Sequence, residues 1–412
     1  MERSTASSSR SAGRADRLLT APPARVYLDY AGFAPVDPRV VAVMRPFLEG
    51  GVGNPSAIHS LGNAAREAME AGRIKVARLV AGPAAGLIFT SGATEANNLA
   101  IKGVALRAAQ RGGHVITSAI EHISVINPCR DLEKRGFGVS YLPVDREGRV
   151  DPDELRRAIR PDTALISVMA ANTEIGTVQP VAALGRVARQ HGIPFHVDGV
   201  GAVGRLPVSV DEMGIDLLTL SSNDLYGPPG AGALWVRRGV KLLPQMLGGG
   251  QEQGYRSGTE NLPAIVGMGV AAELVRTEWR EETARLARLR DRLLTGLLAA
   301  LPDSRLTGSQ AHRLPHHASI CLRAVKADAI LMDLDLHGAA AASGSACASK
   351  TLEPSHVLRA IGGDPEEQEG SLCFTLGRWT TASEIEVVLE LLPSIVSRLR
   401  AFSPKALRAT AS

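Results

Sequence analysis

From Val26 onward, short apolar runs alternate with stretches whose apolar residues recur every three or four positions. GLIFTSGATEANNLAIKGVALRA (86–108) predicts a strand, a polar turn and an amphipathic helix. HVITSAIEH (114–122) predicts a strand that runs into polar residues. ALISVMAANTEIG (164–176) and PFHVDGVGAVG (194–204) repeat the pattern, with a helix predicted over VAALGRVARQHG between them, and LLTLSSND and GALWVRRG follow. Strands separated by helices of about 10–15 residues are the signature of parallel βαβ units, whose ligands sit at the carboxyl ends of the strands. Those ends carry Ser, Thr, Asn, Asp or His here, so the pattern already says where a site would be built.

After Gln251 the pattern changes. A long charged helix is expected from about Leu262 to Leu301, then a second region from about Leu306 with ASICLRA, AILMDLDLHG, the small-residue loop AAAASGSACASKTLEPS and a last helix near Ser383 to Leu399. The expected organisation is an α/β chain: a tail over 1–24, a large domain with a mostly parallel sheet over 25–260, a connecting helix over 261–305, a smaller α+β domain over 306–402 that carries the Cys347 loop, and a tail over 403–412. The segment just after the first tail is expected to join the small domain.

Composition narrows the function. The 412 residues are 45% hydrophobic, enough for a large core, and 46 basic against 42 acidic residues leave a formal charge of +4. The basic residues are scattered, so neither a nucleic acid nor a membrane surface is called for. The four cysteines (Cys129, Cys321, Cys347, Cys373) form no CxxC or Cys/His cluster, which argues against zinc and against a disulfide framework and fits reduced thiols in a cytoplasm. No apolar run reaches the ~20 residues needed to span a bilayer. The first 24 residues, rich in Ser, Ala and Arg, lack the apolar centre of a secretory signal; an unstructured tail and a transit peptide both remain open.

Taken singly, the polar strand ends are ambiguous. Gly92, Ala93 and Thr94 stand at a predicted helix start, where backbone N–H groups and the helix dipole favour a phosphate, although most such starts are only structural. Asp198 is placed to hold a protonated ring nitrogen or to cap a turn. His122, after Glu121, is placed to stack on a flat ligand or to pack in the core.

Together and in order, these residues carry a resemblance. VYLDYAGFAPVDPRV, GNPSAIHSLGNAAREAMEAGR, FTSGATEANNLAI, EHISV, NTEIGTVQP, HVDGVGAVG, YGPPGAGAL, RSGTENLPAIVGMG, SGSACASKTLEPSHVLRAIG and FTLGRWTT, spread over about Val26 to Leu399, resemble the cysteine desulfurases of iron–sulfur cluster assembly, class V aminotransferase-like proteins of the fold-type I class that use pyridoxal phosphate (PLP). The resemblance implies that Ala93, Thr94 and Ser221 hold the PLP phosphate and that Thr259 reaches the phosphate of a partner subunit. It implies that Asp198 pairs with the ring nitrogen, His122 stacks on the ring and Asn172 meets its hydroxyl edge. Cys347, in the SGSAC loop, matches the thiolate that takes sulfur from cysteine as a persulfide.

The same pocket also departs from the family. Where the family reads Ser-x-His-Lys, this chain reads Ser221-Ser222-Asn223-Asp224, so the lysine that binds PLP covalently is Asp224 and the neighbouring histidine is Asn223. An expected glutamine is Gly201, and the arginine expected to clamp the substrate carboxylate is Cys373, expected at this pocket-facing strand position to be partly accessible but constrained, while Arg378 of that motif remains. Lys350 is the nearest lysine in sequence to Cys347. Three readings stay open: a PLP protein of altered reaction with PLP held non-covalently and Asp224 as general base, a relay in which Cys347 takes a persulfide from a genuine desulfurase and passes it to an acceptor, and a non-catalytic subunit that dimerises with an active paralogue and donates Thr259 to its pocket. A dimer is expected, either a homodimer with a second copy or a heterodimer with a paralogue.

Overall fold

The computed structural model describes residues 26–50, 53–109, 113–344 and 355–402. In chain order the first part comprises β1 (Val26–Tyr27), α1 (Pro38–Leu48), α2 (Ser60–Leu79), β2 (Leu87–Thr90), α3 (Ala93–Ala108), β3 (His114–Ser118), α4 (Ile123–Lys134), β4 (Gly138–Leu142), α5 (Pro152–Ala158), β5 (Thr163–Ser167), α6 (Val181–Gln190), β6 (Phe195–Asp198), β7 (Leu217–Ser221), β8 (Gly232–Val236) and α7 (Leu262–Ala300). The second part adds β9 (Ser304–Leu306), β10 (His317–Leu322), α8 (Ala327–Leu336), β11 (Ala339–Ala340), β12 (Ala342–Ser343), α9 (His356–Ala360), α10 (Pro365–Glu369), β13 (Ser371–Thr375) and α11 (Ala382–Ala401).

Seven strands form the main sheet in the order β2-β8-β7-β6-β5-β3-β4. The pairs from β7 to β4 are parallel. The strand runs LLTL and FHV are apolar on both faces because helices cover the sheet on both sides and bury β6 throughout. The last strand differs from the parallel expectation. β8 runs antiparallel to both β7 and β2, since the segment between Ser221 and Gly232 is too short for a crossover and can only turn back. A second, antiparallel sheet, β12-β13-β10-β9, forms the smaller layer. β1 leaves the large sheet altogether and pairs in parallel with β11, Val26 opposite Ala339.

The long helix α7 joins two cores. Its 39 residues span about 58 Å at 1.5 Å per residue. Leu262, Ile265, Met268 and Val275 pack into the core beneath the main sheet, while Leu286, Leu293 and Leu297 pack against β10, β13 and α11. Sequence caps fix the helix starts nearby: Asp37 accepts from the Arg39 N–H with Pro38 in the first turn of α1, and Thr381 with Glu384 makes a reciprocal capping box on α11. The core also holds a bidentate ion pair, Arg73 Nη1 and Nη2 to Glu252 Oε2 and Oε1 at 2.8 and 2.7 Å, and Glu252 Oε2 also accepts from the Phe89 N–H at 2.7 Å. Removing Glu252 alone would leave the buried Arg73 guanidinium with only the half-exposed Glu70 as counter-charge and the Phe89 N–H without its acceptor, a loss of at most about 3–5 kcal/mol. Among the described residues no helix is long and apolar enough to cross a membrane.

Candidate active site

The carboxyl ends of β2, β6 and β7 meet the first turn of α3. Ser221 is paired with Gly232, and a Cβ on Gly232 would fall 2.6 Å from the Cα of Gly92, so only glycine lets β8 lie this close to the helix start. That contact brings Ser221 beside Ala93 and Thr94. No side chain caps α3. The leading N–H groups of this 16-residue helix therefore have no side-chain cap and stand where the resemblance expects a phosphate.

Asp198, at the end of β6, is buried and oriented on both oxygens. Oδ2 accepts from Asn97 Nδ2 at 2.8 Å and Oδ1 from the Val200 N–H at 3.1 Å. The Asn97 amide also donates to Ser124 Oγ at 2.8 Å, and Ser124 Oγ meets His122 Nδ1 at 2.7 Å. Since Nδ1 also accepts from the Ser124 N–H, the ring proton of His122 sits on Nε2. A continuous chain thus links the two expected ring-binding residues through Asn97 and Ser124, which the sequence reading had not named. Asn97 was findable: it lies three residues after Thr94, on the same face of α3. Asn172 is committed to its own loop, donating to Ile120 O at 2.9 Å while its Oδ1 accepts from the Glu174 and Ile175 N–H groups at 2.9 and 3.0 Å. It shares a cavity wall with His122.

Asp224 stands on a single 3-10 turn, Asn223–Leu225, at the end of β7. The turn is locked by Tyr226, a buried tyrosine in the left-handed region at φ 61°, with Arg205 and Arg378 both 4.8 Å from its ring centre. Burial raises the Asp224 carboxyl to about 6; the Ser221 hydroxyl and the Arg205 charge pull it down, and the Asp198 charge pushes it up. Asn223 Oδ1 has no hydrogen-bond partner among the described residues.

A cavity of about 130 Å³ lies between the two layers, walled by His122, Asn172, Glu174, Asp29, Glu121 and Cys373 among others. Among the described residues no lysine or arginine lines it. Here the sequence expectation for Cys373 needs correction. Expected to be partly accessible, it is only 5% exposed, because β13 lies against β10 and the His317 ring covers it, Nε2 standing 3.2 Å from Sγ. Burial drives its thiol pKa strongly upward, with Asp29 and Glu174 adding to the rise. Arg378, the surviving arginine of that motif, is not a substitute clamp: it pairs with Asp37, Glu278 and Glu282, locked under Tyr226. Cys129 and Cys321 are core thiols raised by burial to about 12 and about 11. Thr259 is exposed on this chain. Cys347 and Lys350 lie outside the described residues.

The site has a calculable pH signature. Burial raises Glu121 and Glu174 from 4.5 to about 8 and Asp224 from 3.8 to about 6, so the folded chain keeps protons that the unfolded chain releases, and stability falls as pH climbs through those windows. Burial pushes His196 and His317 from 6.5 down to about 3 and His316 well below its ordinary value, so the unfolded chain takes up protons the folded one refuses, and stability falls as pH drops below 6.5. The two slopes oppose each other between 4.5 and 6.5, where a plateau is expected. Urea midpoints should decline from pH 6.5 toward 8, by at most roughly 1.4 kcal/mol per pH unit for each group, and also below 4.5. A midpoint that climbs steadily from pH 6.5 to 8 would show that the two glutamates are ionised in the fold.

Comparison with known proteins agrees with the geometry. The aminotransferase class-V family model matches residues 26–388. Cysteine desulfurase IscS 1 of Archaeoglobus fulgidus is 49% identical over 378 residues, covering 92% of this chain and 98% of its own. Cysteine desulfurase IscS of Dictyoglomus turgidum is 47% identical, covering 92% of this chain and 96% of its own. Among solved structures, a NifS-like protein superposes with a TM-score of 0.86 at 33% identity over 91% of this chain and 100% of its own. SspA in complex with cysteine superposes with a TM-score of 0.76 at 35% identity over 87% of this chain and 100% of its own. Members of this family use PLP, and the residues here fit part of it: the uncapped start of α3 with Ser221 suits the phosphate and the oriented Asp198 suits the ring nitrogen, but a carboxylate stands at position 224. With a parallel sheet whose strand ends gather these groups, and with relatives matched over nearly its whole length, this chain belongs to the aminotransferase class-V family as a cysteine desulfurase-like member.

Proposed function

We propose that this protein handles sulfur through Cys347 as a desulfurase homologue in which PLP, where it binds, is held without a covalent bond. The observation that carries the reading is the chemistry at position 224. A carboxyl group, raised to about 6 by burial, stands where the family resemblance calls for an amine, and no lysine lines the cavity walled by His122 and Asn172 among the described residues. Bound PLP supplies an electron-withdrawing ring that eases bond breaking at an attached amino acid. This chain's own residues would orient it: the first turn of α3 and Ser221 at the phosphate, Asp198 steadied by Asn97 at the ring nitrogen, and His122 steadied by Ser124 above it. Without the lysine the ordinary desulfurase route is closed, and Cys347 is left to accept sulfur already activated elsewhere. Borohydride added to the protein with PLP is expected to fix no cofactor on any peptide, and dialysis to remove it all. A PLP-bearing peptide, whether from Lys350 or another lysine, would refute the reading.

A second reading rests on Asp224 itself. A carboxyl group near 6 is close to the range in which a general base works best at neutral pH, which suits a PLP protein of different reaction.

In either reading the protein acts as a dimer. Leu247 is 83% and Met246 46% exposed, an apolar pair strapped to the Thr259 segment by the Ser257 N–H to Met246 O bond at 3.3 Å. Covering that pair with a second copy or a paralogue would carry Thr259 to the partner's phosphate site, and the setting is a thiol-reducing cytoplasm. Sedimentation that finds only monomer at micromolar concentration would contradict this assembly.

A further inference from the structure

The cavity beside Cys373 carries an unbalanced set of charges. Asp29 and Glu174 face it across the position where the desulfurase resemblance calls for a guanidinium, and their charges act on the Cys373 sulfur. Two carboxyl oxygens here have no hydrogen-bond partner among the described residues: Glu174 Oε1, and Oε2 of Glu121, a fully buried side chain on the same wall. Glu121 Oε1 is satisfied, by Ser118 Oγ at 2.6 Å and the Met169 N–H at 2.9 Å, so the loop is well formed and one oxygen is left over. A buried carboxyl oxygen left without a hydrogen bond is costly, and proteins rarely retain one.

Among the described residues, the arginines whose contacts bear on this region are already committed. Arg313, whose charge also reaches the Cys373 sulfur, donates to Ser309 O at 2.9 Å, to His317 O at 3.3 Å and to Thr307 O, and burial lowers it to about 10. Arg378 is paired with Asp37, Glu278 and Glu282. The remaining nitrogen bases on the wall are imidazoles, and His356 is spent on the Glu121 carbonyl at 2.8 Å. Among the described residues no lysine or arginine of this wall offers a carboxylate a counter-charge, while Asp29 and Glu174 can each accept from an ammonium.

We infer that this cavity selects a small primary ammonium that carries no carboxylate, the reverse of a pocket built for an α-amino acid. The inference rests on the reading above that the carboxylate clamp is gone at Cys373, and it names the ligand class of that same site. An ammonium between Glu174 and Asp29 would satisfy Glu174 Oε1 and draw a proton off that carboxyl group, which burial raises to about 8 against the lowering effect of its Ser355 hydrogen bond. An incoming carboxylate would meet the Asp29 carboxyl with no lysine or arginine beside it among the described residues.

Ethanolamine and L-serine differ only by the carboxylate, and neither brings a thiol that Cys347 could react with. Ligand-observed NMR titration of the full chain should find ethanolamine bound at least about tenfold more tightly than L-serine, the scale of one charge-assisted hydrogen bond. Glu174→Gln should weaken ethanolamine by about tenfold, and Cys373→Arg should turn the preference toward L-serine. L-serine binding as tightly as ethanolamine, binding of neither probe, or an ethanolamine affinity indifferent to Glu174→Gln would each overturn the inference. Borohydride trapping reads position 224 independently of these titrations, so the inference can fail while the reading of the missing lysine stands, or the reverse.

Discussion

Asp224→Lys is expected to give this protein a covalent hold on PLP that the wild-type chain lacks. The turn at Asn223–Leu225 and the left-handed Tyr226 beneath it fix the backbone at 224, so a lysine there would start from the same point as the aspartate. It would enter a pocket that pushes the Asp224 carboxyl up by burial and that contains the Arg205 charge. Both effects disfavour a charged amine, and a depressed amine pKa is what makes a lysine nucleophilic near neutrality. The variant should therefore turn yellow with PLP, resist dialysis and yield, after borohydride, a cofactor-bearing peptide containing position 224. Cysteine desulfurisation should stay far below that of an ordinary desulfurase, because Cys373 still leaves the substrate carboxylate without its guanidinium. A folded Asp224→Lys protein that takes up no PLP would show that the phosphate and ring sites are remnants.

The parallel sheet and the placement of the site were legible because a sheet buried on both faces writes itself as apolar runs with polar ends, as in FHVD and LLTLS. Ala93, Thr94, Asp198, Ser221 and His122 stood out as positions because each closes a strand or opens a helix, whereas their expected roles at a phosphate and a ring came from the family resemblance. What the sequence did not disclose are contacts between distant positions. Asp29, Glu174 and Cys373 meet in one cavity only because β13 pairs with β10 and β12 while the loop after β5 reaches across the layer. Nothing in the local pattern of ASICLRA or SLCFT shows that His317 would cover Cys373. The commitment of Arg378 to Asp37 on α1 likewise depends on the packing of α1 against α7. The reversed direction of β8 is a different case, since ten residues between Ser221 and Gly232 already forbid a crossover helix.

Sulfur uptake by this chain is expected at one cysteine. Cys129, Cys321 and Cys373 are buried, and burial raises all three thiols far from the thiolate form that attacks sulfur. Cys347 stands in a run of small residues, SGSACAS, that offers no bulky side chain to bury it. Alkylation should therefore reach Cys347 first and leave the other three for the unfolded chain.

The measurement that tests the central claim is mass spectrometry of the peptide containing Cys347 after the protein has been mixed with an active cysteine desulfurase, its cofactor and L-cysteine. Gain of one sulfur atom on Cys347, lost in Cys347→Ser and absent when the active desulfurase is left out, is the expected result. Sulfur on Cys347 in the chain alone with PLP and L-cysteine would show that it does the whole reaction despite Asp224, and an unmodified Cys347 in the complete mixture would show that it does not carry sulfur.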